Sequence, residues 1–494
     1  MRLLLRADGN ARIGLGHVMR LLALAEILRP DFPEQLFLIR EPDAALAEQL
    51  TTAGSAVQAL PVRPLPEEAA YLAAQVLRPD DVLVLDGYDF RYDYQNTVRG
   101  AVHRLVYLDD LHAYPLAADL VLNPAGGLTM ADYELRQPGA RLLSGPAYAP
   151  LRAAFQTKPA ENNAAAAAPD AATVFVCLGG ADPTHQTRRV AAELLALPGV
   201  RHVHAVVGGA YQGWETLQTW AAGQPGLTLH RQLAAPELAA LMRRCGAAVC
   251  SASTVSYEYC AAGGGLLLLL PTAANQHDLD HYLRAAGLAR PYTAAANILT
   301  SSEAGRIATE MQAAQRRVFD GQAPTRLRQE LRALLLPPPP FALRPATAAD
   351  SAQLLTWTNE PAVRRFSFNP EPVAAADHER WFAARLADEN ARLLLARDAA
   401  TGHSAGLIRF AVEGDTATLS YLLDANFRGR GLAPLLLLAG TRQLLTQFPG
   451  VRRVLGHVQT ANAASVHAFE RAGFRLQPLA NEADSLTFGW LGAG

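Results

Sequence analysis

The chain has 494 residues, of which 50% are hydrophobic and 18% are charged, and its formal net charge is -2. Domains usually hold about 100–200 residues, so this length predicts about three domains, each able to bury a core. The charge balance offers no basic excess for a nucleic acid and no basic amphipathic stretch for a membrane surface. Neither is expected as a partner.

Cysteine content and hydropathy favour a cytoplasmic protein. The cysteines are too few for a disulfide scaffold and form no C-x-x-C pair, so we expect reduced core thiols. They are Cys177, Cys245, Cys250 and Cys260. The amino terminus lacks the long apolar region of a signal peptide. The longest leucine run, residues 266–270, is too short to span a bilayer.

Short apolar strands separated by helical stretches dominate the first third of the chain. The predicted strands cover residues 2–5, 36–39, 82–85, 105–108 and 120–122. A helix is predicted after the first strand, over residues 18–28. This alternation favours an α/β fold in which helices cover a parallel sheet. We therefore predict a first Rossmann-like domain over residues 1–157.

A second series of the same kind follows an alanine-rich stretch, residues 158–172, which we interpret as a linker. Its predicted strands cover residues 173–178, 202–207, 227–230, 247–250 and 266–270. Two similar series predict two Rossmann-like domains that face each other across a cleft. The second would occupy residues 173–336.

Four consecutive prolines, residues 337–340, predict an extended spacer after the second series. Beyond them, alternating strand patterns indicate a third α/β domain over residues 342–494. These strands cover residues 393–397, 404–411 and 417–423.

A glycine-rich turn after the first strand ends in a histidine. Gly14 and Gly16 precede His17. Ligands of open α/β sheets bind at the carboxyl ends of strands, and glycines let the backbone approach them closely. Histidine can accept a proton near neutral pH. The alternative is a tight turn with a histidine that caps a helix, and the spacing lacks the third glycine of a dinucleotide fingerprint.

The segment RADGNARIGLGHVMRLLALA, residues 6–25, resembles the opening of the UDP-2,4-diacetamido-2,4,6-trideoxy-β-L-altropyranose hydrolases of pseudaminic acid biosynthesis. Further similar segments occur in order at residues 86–88, 108–110, 119–124 and 144–152. The resemblance implies a two-domain glycosyltransferase-B fold. It also implies that His17 activates water for attack on the anomeric carbon, so that UDP leaves with inversion. Tyr88 matches a tyrosine near the sugar, although by itself it reads as a half-buried residue at a strand end.

Two turns of the second series resemble the nucleotide-binding turns of that family. Gly179 and Gly180 follow a strand, where backbone N–H groups can cradle a diphosphate; a plain strand–helix turn is the alternative. Ser253 and Thr254 open a helix that carries Glu258 one turn later. The resemblance implies that Glu258 accepts hydrogen bonds from the ribose, whereas simple N-capping by the serines is the alternative.

The loop around Asn275 supplies the remaining candidates of this first site. The resemblance implies that Asn275 faces the sugar, with Gln276 and Arg152 as further substrate contacts. His277 and His281 are four residues apart, a spacing found in metal sites. No glutamate follows His277 in the zincin pattern, and hydrolysis of a UDP-sugar needs no zinc, so no metal is expected.

Residues 426–433 lie between a predicted strand and an apolar helix and resemble the R/Q-x-x-G-x-G/A signature of the GNAT N-acetyltransferases. Similar segments occur at residues 357–364, 378–382 and 462–474. When the signature is considered alone, the alternative interpretation is a cationic loop. The resemblance implies acetyl-CoA as co-substrate, because consecutive main-chain N–H groups at a helix start can bind its pyrophosphate. The implied binding residues are Arg428, Gly429, Arg430, Gly431, Ala433 and Asn462.

One position departs from the acetyltransferase pattern. Phe469 stands where many relatives have a tyrosine that protonates the leaving thiolate, and phenylalanine has no proton to donate. His467 could replace it only if its ring turned inward, and we expect an exposed position instead. The sequence therefore leaves the general acid unassigned.

Together the two resemblances predict a bifunctional enzyme that acts on small UDP-amino sugars. One part would acetylate the 4-amino group of a UDP-sugar, and the other would hydrolyse the product to free sugar and UDP. The alternatives are a UDP-sugar glycosyltransferase fused to an acetyltransferase and a non-catalytic module that binds sugar nucleotides.

Overall fold

The structure is a computed structural model that describes residues 1–9, 15–156, 170–182, 184–477 and 484–492. The chain divides into two compact units, Met1–Leu327 and Arg328–Gly494. The predicted linker lies mostly outside the described residues. Within the described ranges, no helix is long and apolar enough to cross a bilayer. The four cysteines are free and buried.

A parallel sheet forms the centre of the first half of the first unit. Its order is β3-β2-β1-β4-β5-β6-β7, counted over the described residues. The strands are β1 (Leu3–Arg6), β2 (Gln35–Arg40), β3 (Ala56–Leu60), β4 (Val82–Asp86), β5 (Arg104–Leu108), β6 (Leu120–Asn123) and β7 (Arg141–Ser144). The helices are α1 (Gly16–Leu28), α2 (Ala44–Thr52), α3 (Leu65–Gln75), α4 (Tyr92–Arg99) and α5 (Ala153–Gln156). β1 and β4 are buried throughout because helices cover both faces, so their sequences are continuously apolar rather than alternating.

The second half of this unit repeats the pattern with the parallel order β10-β9-β8-β11-β12-β13. Its strands are β8 (Thr173–Cys177), β9 (His202–Val207), β10 (Leu227–Arg231), β11 (Ala247–Cys250), β12 (Leu266–Leu269) and β13 (Arg290–Pro291). Its helices are α6 (Gln186–Leu195), α7 (Trp214–Ala222), α8 (Ala235–Arg244), α9 (Thr254–Ala262), α10 (His277–Ala285), α11 (Ala295–Leu299) and α12 (Ala304–Val318). In both sheets the order reverses beside the first strand, as in doubly wound nucleotide-binding sheets.

The second unit contains a mixed sheet of order β14-β15-β16-β17-β18-β20-β19. The strands are β14 (Phe341–Pro345), β15 (Ala391–Asp398), β16 (Ser404–Glu413), β17 (Thr416–Leu423), β18 (Arg453–Gln459), β19 (Arg475–Leu476) and β20 (Ser485–Leu491). The helices after α13 (Ala323–Leu334) are α14 (Ser351–Thr358), α15 (Pro361–Arg364), α16 (Ala375–Ala387), α17 (Leu432–Gln447) and α18 (Ala463–Arg471). β17 and β18 are parallel, and their last paired residues are Leu419 and Gly456.

The boundary between the units differs from the one predicted at the proline run. Residues 328–336 belong to the second unit. Ala333, on α13, is buried in the same core as Phe341 and Trp490. Arg442 donates to Glu330 at 3.1 Å. The exposed prolines 337–340 therefore connect α13 to β14 within one unit, because the apolar face of α13 decides which core it joins.

Candidate active sites

The first site forms where the strand order of the first sheet reverses, between β1 and β4. At such a point, the connections that follow the two neighbouring strands run to opposite faces of the sheet. A crevice therefore opens at the strand ends. His17 stands in the first turn of α1, and Asp86 is the last residue of β4 and fully buried. His17 Nδ1 lies 2.7 Å from Asp86 Oδ1. Because a carboxylate only accepts, Nδ1 carries the proton, and Nε2 is the basic nitrogen of the neutral ring.

Arg20 lies almost one turn after His17 and joins two carboxylates. Its Nε and Nη2 donate to Asp86 at 2.8 and 2.7 Å. Its Nη1 donates to Asp110 Oδ1 at 2.6 Å. Asp110 lies two residues after the end of β5, so the ends of three neighbouring strands contribute to this group. The paired charges hold the His17 ring in one orientation.

The same network sets the protonation of His17. Burial by itself lowers the pKa of His17, and Arg20 lowers it further, but the Asp86 carboxylate outweighs both and the net pKa is raised. Burial would raise the pKa of Asp86, yet Arg20 and His17 hold it below its ordinary value. Asp86 is therefore an anion at neutral pH, and it stabilises the protonated form of His17.

Tyr88 and Asn275 join the site from the two halves of the unit. Asn275 Nδ2 donates to Tyr88 Oη at 2.6 Å. The Tyr88 ring meets the His17 ring edge-on, with centroids 4.8 Å apart. Burial and the nearby Asp110 raise the pKa of Tyr88 to about 12, so its hydroxyl stays protonated at neutral pH. His17 and the two residues predicted to lie near the sugar, Tyr88 and Asn275, thus lie together.

These side chains line a cavity of about 320 Å³ between the halves. The predicted residues that line it are Gly16, His17, Tyr88, Ser253, Thr254, Asn275 and Gln276. Gly14 lies outside the described residues. Arg20 and Asp110 also line the cavity, although the sequence interpretation did not select them. The sequence does contain signals for these two residues. Asp110 is a charged residue at the end of one of the adjacent apolar strands, and Arg20 lies three positions after His17 on the same helix face.

The predicted glycine turn lies at the corresponding point of the second sheet. β8 and β11 are neighbours there, and the Ser251 N–H donates to the Cys177 carbonyl oxygen at 3.2 Å. Gly179 has a φ of +97°, which favours glycine, and a side chain there would meet open space. Gly180 accepts from the Gly208 N–H at 2.8 Å. Neither glycine lines the cavity, so a diphosphate contact stays a prediction.

Glu258 and Arg152 form an ion pair beside the cavity rather than on its wall. Arg152 Nε and Nη2 both donate to Glu258 Oε1, at 3.0 and 2.7 Å. The Glu258 side chain is 7% exposed. Burial raises the pKa of Glu258, and Arg152 opposes the rise. The carboxylate therefore has a fixed structural partner, whereas the predicted ribose contact stays a prediction.

Among the described residues, no group of three or more His, Cys, Asp or Glu side chains is arranged to hold a metal ion.

The second site lies in the loop between β17 and α17. Gly429 and Gly431 have φ values of +73° and +71°, and side chains at either position would meet open space. Gly431 is the N-cap of the 16-residue helix α17, so free N–H groups point out of the helix start. Arg430 is exposed, and Ala433 lies in the first turn of α17. This backbone arrangement fits an anionic pyrophosphate.

Arg428 has fixed partners within the protein, in addition to the acetyl-CoA contact predicted for it. Its two terminal nitrogens donate to the two oxygens of Glu360 at 2.6 and 2.5 Å. Its Nε donates to the Leu423 carbonyl oxygen at 2.9 Å. The guanidinium thus fastens the loop to the end of β17 and to the residue before α15, and its contact with acetyl-CoA stays a prediction.

Asn462 caps α18, where its Oδ1 accepts from the Ser465 N–H at 3.1 Å. Phe469 is 2% exposed and stacks on Phe488 with centroids 5.3 Å apart. It is a core residue in the described structure. His467 projects outward, with a side chain 70% exposed and Glu470 at 3.9 Å, in agreement with the expected exposure.

Comparison with known proteins supports both parts of the chain. Residues 341–475 match the family model described as an acetyltransferase (GNAT) domain. Over 197 residues, 39% of this chain and 66% of the relative, the chain is 24% identical to the UDP-2,4-diacetamido-2,4,6-trideoxy-β-L-altropyranose hydrolase of Campylobacter jejuni. Over 215 residues, 43% of each protein, it is 23% identical to an uncharacterised protein of Methanocaldococcus jannaschii. The chain thus spans less than two thirds of these curated relatives.

Among solved structures, the spermidine N-acetyltransferase of Vibrio cholerae in complex with CoA and spermine matches 31% of this chain and 96% of its own, at 19% identity and a TM-score of 0.29. The family match over residues 341–475 confirms the predicted GNAT domain in the second unit.

Proposed function

We propose that the chain is a bifunctional enzyme of nonulosonic acid biosynthesis. Its first unit would hydrolyse UDP-2,4-diacetamido-2,4,6-trideoxy-β-L-altropyranose, and its second unit would transfer an acetyl group from acetyl-CoA to the 4-amino group of the UDP-sugar precursor. The two reactions are consecutive, since the acetylated product of the second unit is the substrate of the first. Two facing Rossmann-like halves of the glycosyltransferase-B type would bind the sugar nucleotide.

The single observation that carries the hydrolase proposal is the cavity that holds His17 against Asp86, with Tyr88 and Asn275 beside it. Nε2 of neutral His17 accepts a proton from water while the water oxygen attacks the anomeric carbon. The bond between that carbon and the UDP oxygen breaks, and its electron pair leaves with UDP. Asp86 stabilises the imidazolium that results.

Tyr88 and Asn275 act on the sugar side of this reaction. Tyr88 is held by the amide of Asn275 and keeps its proton at neutral pH. Asn275 therefore has its carbonyl oxygen left to accept from an acetamido N–H group of the sugar. Ser253 and Thr254 also line the cavity, where the α9 N-terminus favours the negative diphosphate.

Incubation with the UDP-diacetamido sugar in water alone, with mass spectrometry of the products, tests this proposal. A hydrolase releases equal amounts of UDP and free sugar without a sugar acceptor. An intact donor that turns over only after an acceptor is added would identify a glycosyltransferase. Tight UDP binding with no turnover under either condition would identify a binding module.

The acetyltransferase proposal rests on the GNAT match and the open glycine loop before α17. Backbone N–H groups of residues 429–431 would hold the pyrophosphate of acetyl-CoA, and Arg430 would add a positive charge. Acetyl-CoA supplies the acetyl group as a thioester. This activity is tested by measuring the release of CoA thiol in the presence of UDP-4-amino sugars. If acetyl-CoA is not consumed with any of these sugars, the proposed acceptor class is rejected.

A further inference from the structure

The acetyl transfer proposed for the second unit requires a proton donor for the leaving sulfur, and the usual tyrosine position cannot supply one. The Phe469 ring is buried against Phe474 and Phe488. A side-chain carbon built on Gly456 would collide with Cζ of Phe469, so the tip of the Phe469 ring lies against the backbone of β18. A side-chain proton donor therefore has to be sought at another position.

Tyr421 is the only tyrosine among residues 328–494, and these residues contain no cysteine or lysine. It lies on β17, two positions after Leu419, the last residue that pairs with β18. β17 continues to Leu423 and β18 to Gln459, so Tyr421 stands where the described ladder between the two strands has ended. An extended ligand can enter between strands that cease to pair.

The Tyr421 ring lies against Phe469, which occupies the usual position of the proton-donating tyrosine. The ring centroids of Tyr421 and Phe469 are 5.9 Å apart in an edge-on arrangement. The Tyr421 hydroxyl donates to Ser465 Oγ at 3.1 Å, at the start of α18. The Ser465 N–H is in turn held by Asn462. The phenol is thus held at the start of α18, beside Asn462, which is predicted to bind acetyl-CoA.

We propose that Tyr421 is the general acid that protonates the thiolate of CoA, in place of the tyrosine that Phe469 replaces. This assignment rests on the proposed acetyl transfer. The acceptor nitrogen forms a bond to the carbonyl carbon, the carbon–sulfur bond breaks, and its electron pair goes to sulfur. Sulfur takes the proton of Tyr421, and the proton that the nitrogen loses restores the phenol through Ser465 or solvent. The net products are the acetamide and CoA thiol.

The protonation state of Tyr421 agrees with this role. Burial raises the pKa of Tyr421, and the bond to Ser465 opposes the rise. The phenol therefore holds its proton at neutral pH until a strong base such as a thiolate forms beside it. His467 is a poor rival, because its side chain is 70% exposed on the outer face of α18.

The test compares Tyr421→Phe with His467→Ala in the full-length protein. Thiol release from acetyl-CoA is measured with a UDP-4-amino sugar and with simple primary amines. General acid catalysis typically contributes about 10²–10⁴-fold, so we expect Tyr421→Phe to slow release about 10²-fold with little change in the KM for acetyl-CoA. His467→Ala should keep the wild-type rate. Thermal melts establish that both variants fold.

A binding measurement separates a contact with sulfur from a general effect on the fold. The wild-type protein should bind CoA about threefold to tenfold more tightly than desulfo-CoA, because one hydrogen bond reaches the sulfur. Tyr421→Phe should remove this preference and leave desulfo-CoA binding unchanged.

Three outcomes would overturn the assignment. They are wild-type turnover by Tyr421→Phe, a preference for CoA that survives the substitution, and a rate loss in His467→Ala equal to that in Tyr421→Phe. A wild-type protein that binds acetyl-CoA but releases no thiol with any amine would reject the acetyl transfer and the role of Tyr421 together. If simple amines are acetylated but the UDP-4-amino sugar is not, only the proposed acceptor class is rejected. Tyr421→Phe would then still be tested on those amines.

Discussion

The two candidate sites are built from different parts of the chain. Around His17, the site consists of polar and charged side chains that are hydrogen-bonded in a chain. This chain runs from His17 through Asp86 and Arg20 to Asp110. Before α17, the site consists mainly of backbone, in a loop whose glycines have positive φ and whose arginine is already paired with Glu360. Substitution of a side chain should therefore impair the chemistry at the first site, whereas a change of backbone freedom should impair binding at the second.

The largest effect is expected from His17→Phe. The ring remains but the basic nitrogen is lost, so UDP release should fall about 10²–10⁴-fold while UDP binding changes little. Single-turnover assays and UDP titration measure the two quantities. His281→Phe, on the exposed side of α10, is the control and should stay within about twofold. Near-normal turnover by His17→Phe would remove this residue from the mechanism.

Asp86→Asn tests whether the carboxylate sets the protonation of His17. Because the base must be neutral, hydrolysis should rise as the pH passes the raised pKa of His17. Without the anion, that pKa should fall and the rising limb should move to lower pH, with a rate loss of about 10²-fold from the weakened orientation of the ring. Asp80→Asn, at an exposed carboxylate, should leave the profile in place. An unmoved limb in Asp86→Asn would contradict the coupling.

Glu258→Gln distinguishes a ribose contact from a structural ion pair. Loss of a charged acceptor for the ribose hydroxyls should weaken UDP binding by about 1.5–3 kcal/mol. Arg152→Ala breaks the same pair but keeps the Glu258 side chain, so it should lower the melting temperature more than it lowers UDP affinity. Equal losses of UDP affinity in the two variants would assign Glu258 to the fold instead.

The division of the chain predicts which fragment of the second unit is stable. A fragment of residues 341–494 lacks Ala333 and Glu330, which pack on and pair with that unit. It should be about 2–3 kcal/mol less stable than residues 320–494, equivalent to a melting temperature roughly 5–10 °C lower. Thermal melts with and without acetyl-CoA compare them. Equal stability would show that a cut within residues 337–340 separates complete domains.

Gly431→Ala should give the smallest effect and has a matched control. Gly431 and Gly414 both have positive φ and open space around them, so alanine strains each backbone by about 1 kcal/mol. Gly414 lies in the turn between β16 and β17, away from the helix start. Calorimetry should find acetyl-CoA binding weakened about threefold to tenfold in Gly431→Ala alone. An equal loss in both variants would point to general destabilisation.

Much of the fold was predictable because buried parallel strands are short and continuously apolar. The strands that end at Asp86 and Cys250 were predicted within a residue of their observed bounds. β3 was missed because its residues are mostly half-exposed and lack a clear apolar run. β13 was missed because it has only two residues and includes a proline. The division of the chain after Leu327 was not predictable because proline composition is a local signal, whereas the packing of α13 depends on distant residues such as Trp490.

The sequence by itself determined the two parallel α/β series, the GNAT domain and the residue types at each site, because these depend on local order along the chain. Only the tertiary structure decided the partners: Asp86 for His17, Arg152 for Glu258, Glu360 for Arg428 and Ser465 for Tyr421. Each pair joins residues that are far apart in sequence. A side chain reaches such a partner only after strand order and helix packing have placed both residues, and its partner then determines whether it is available for catalysis or already engaged in the fold.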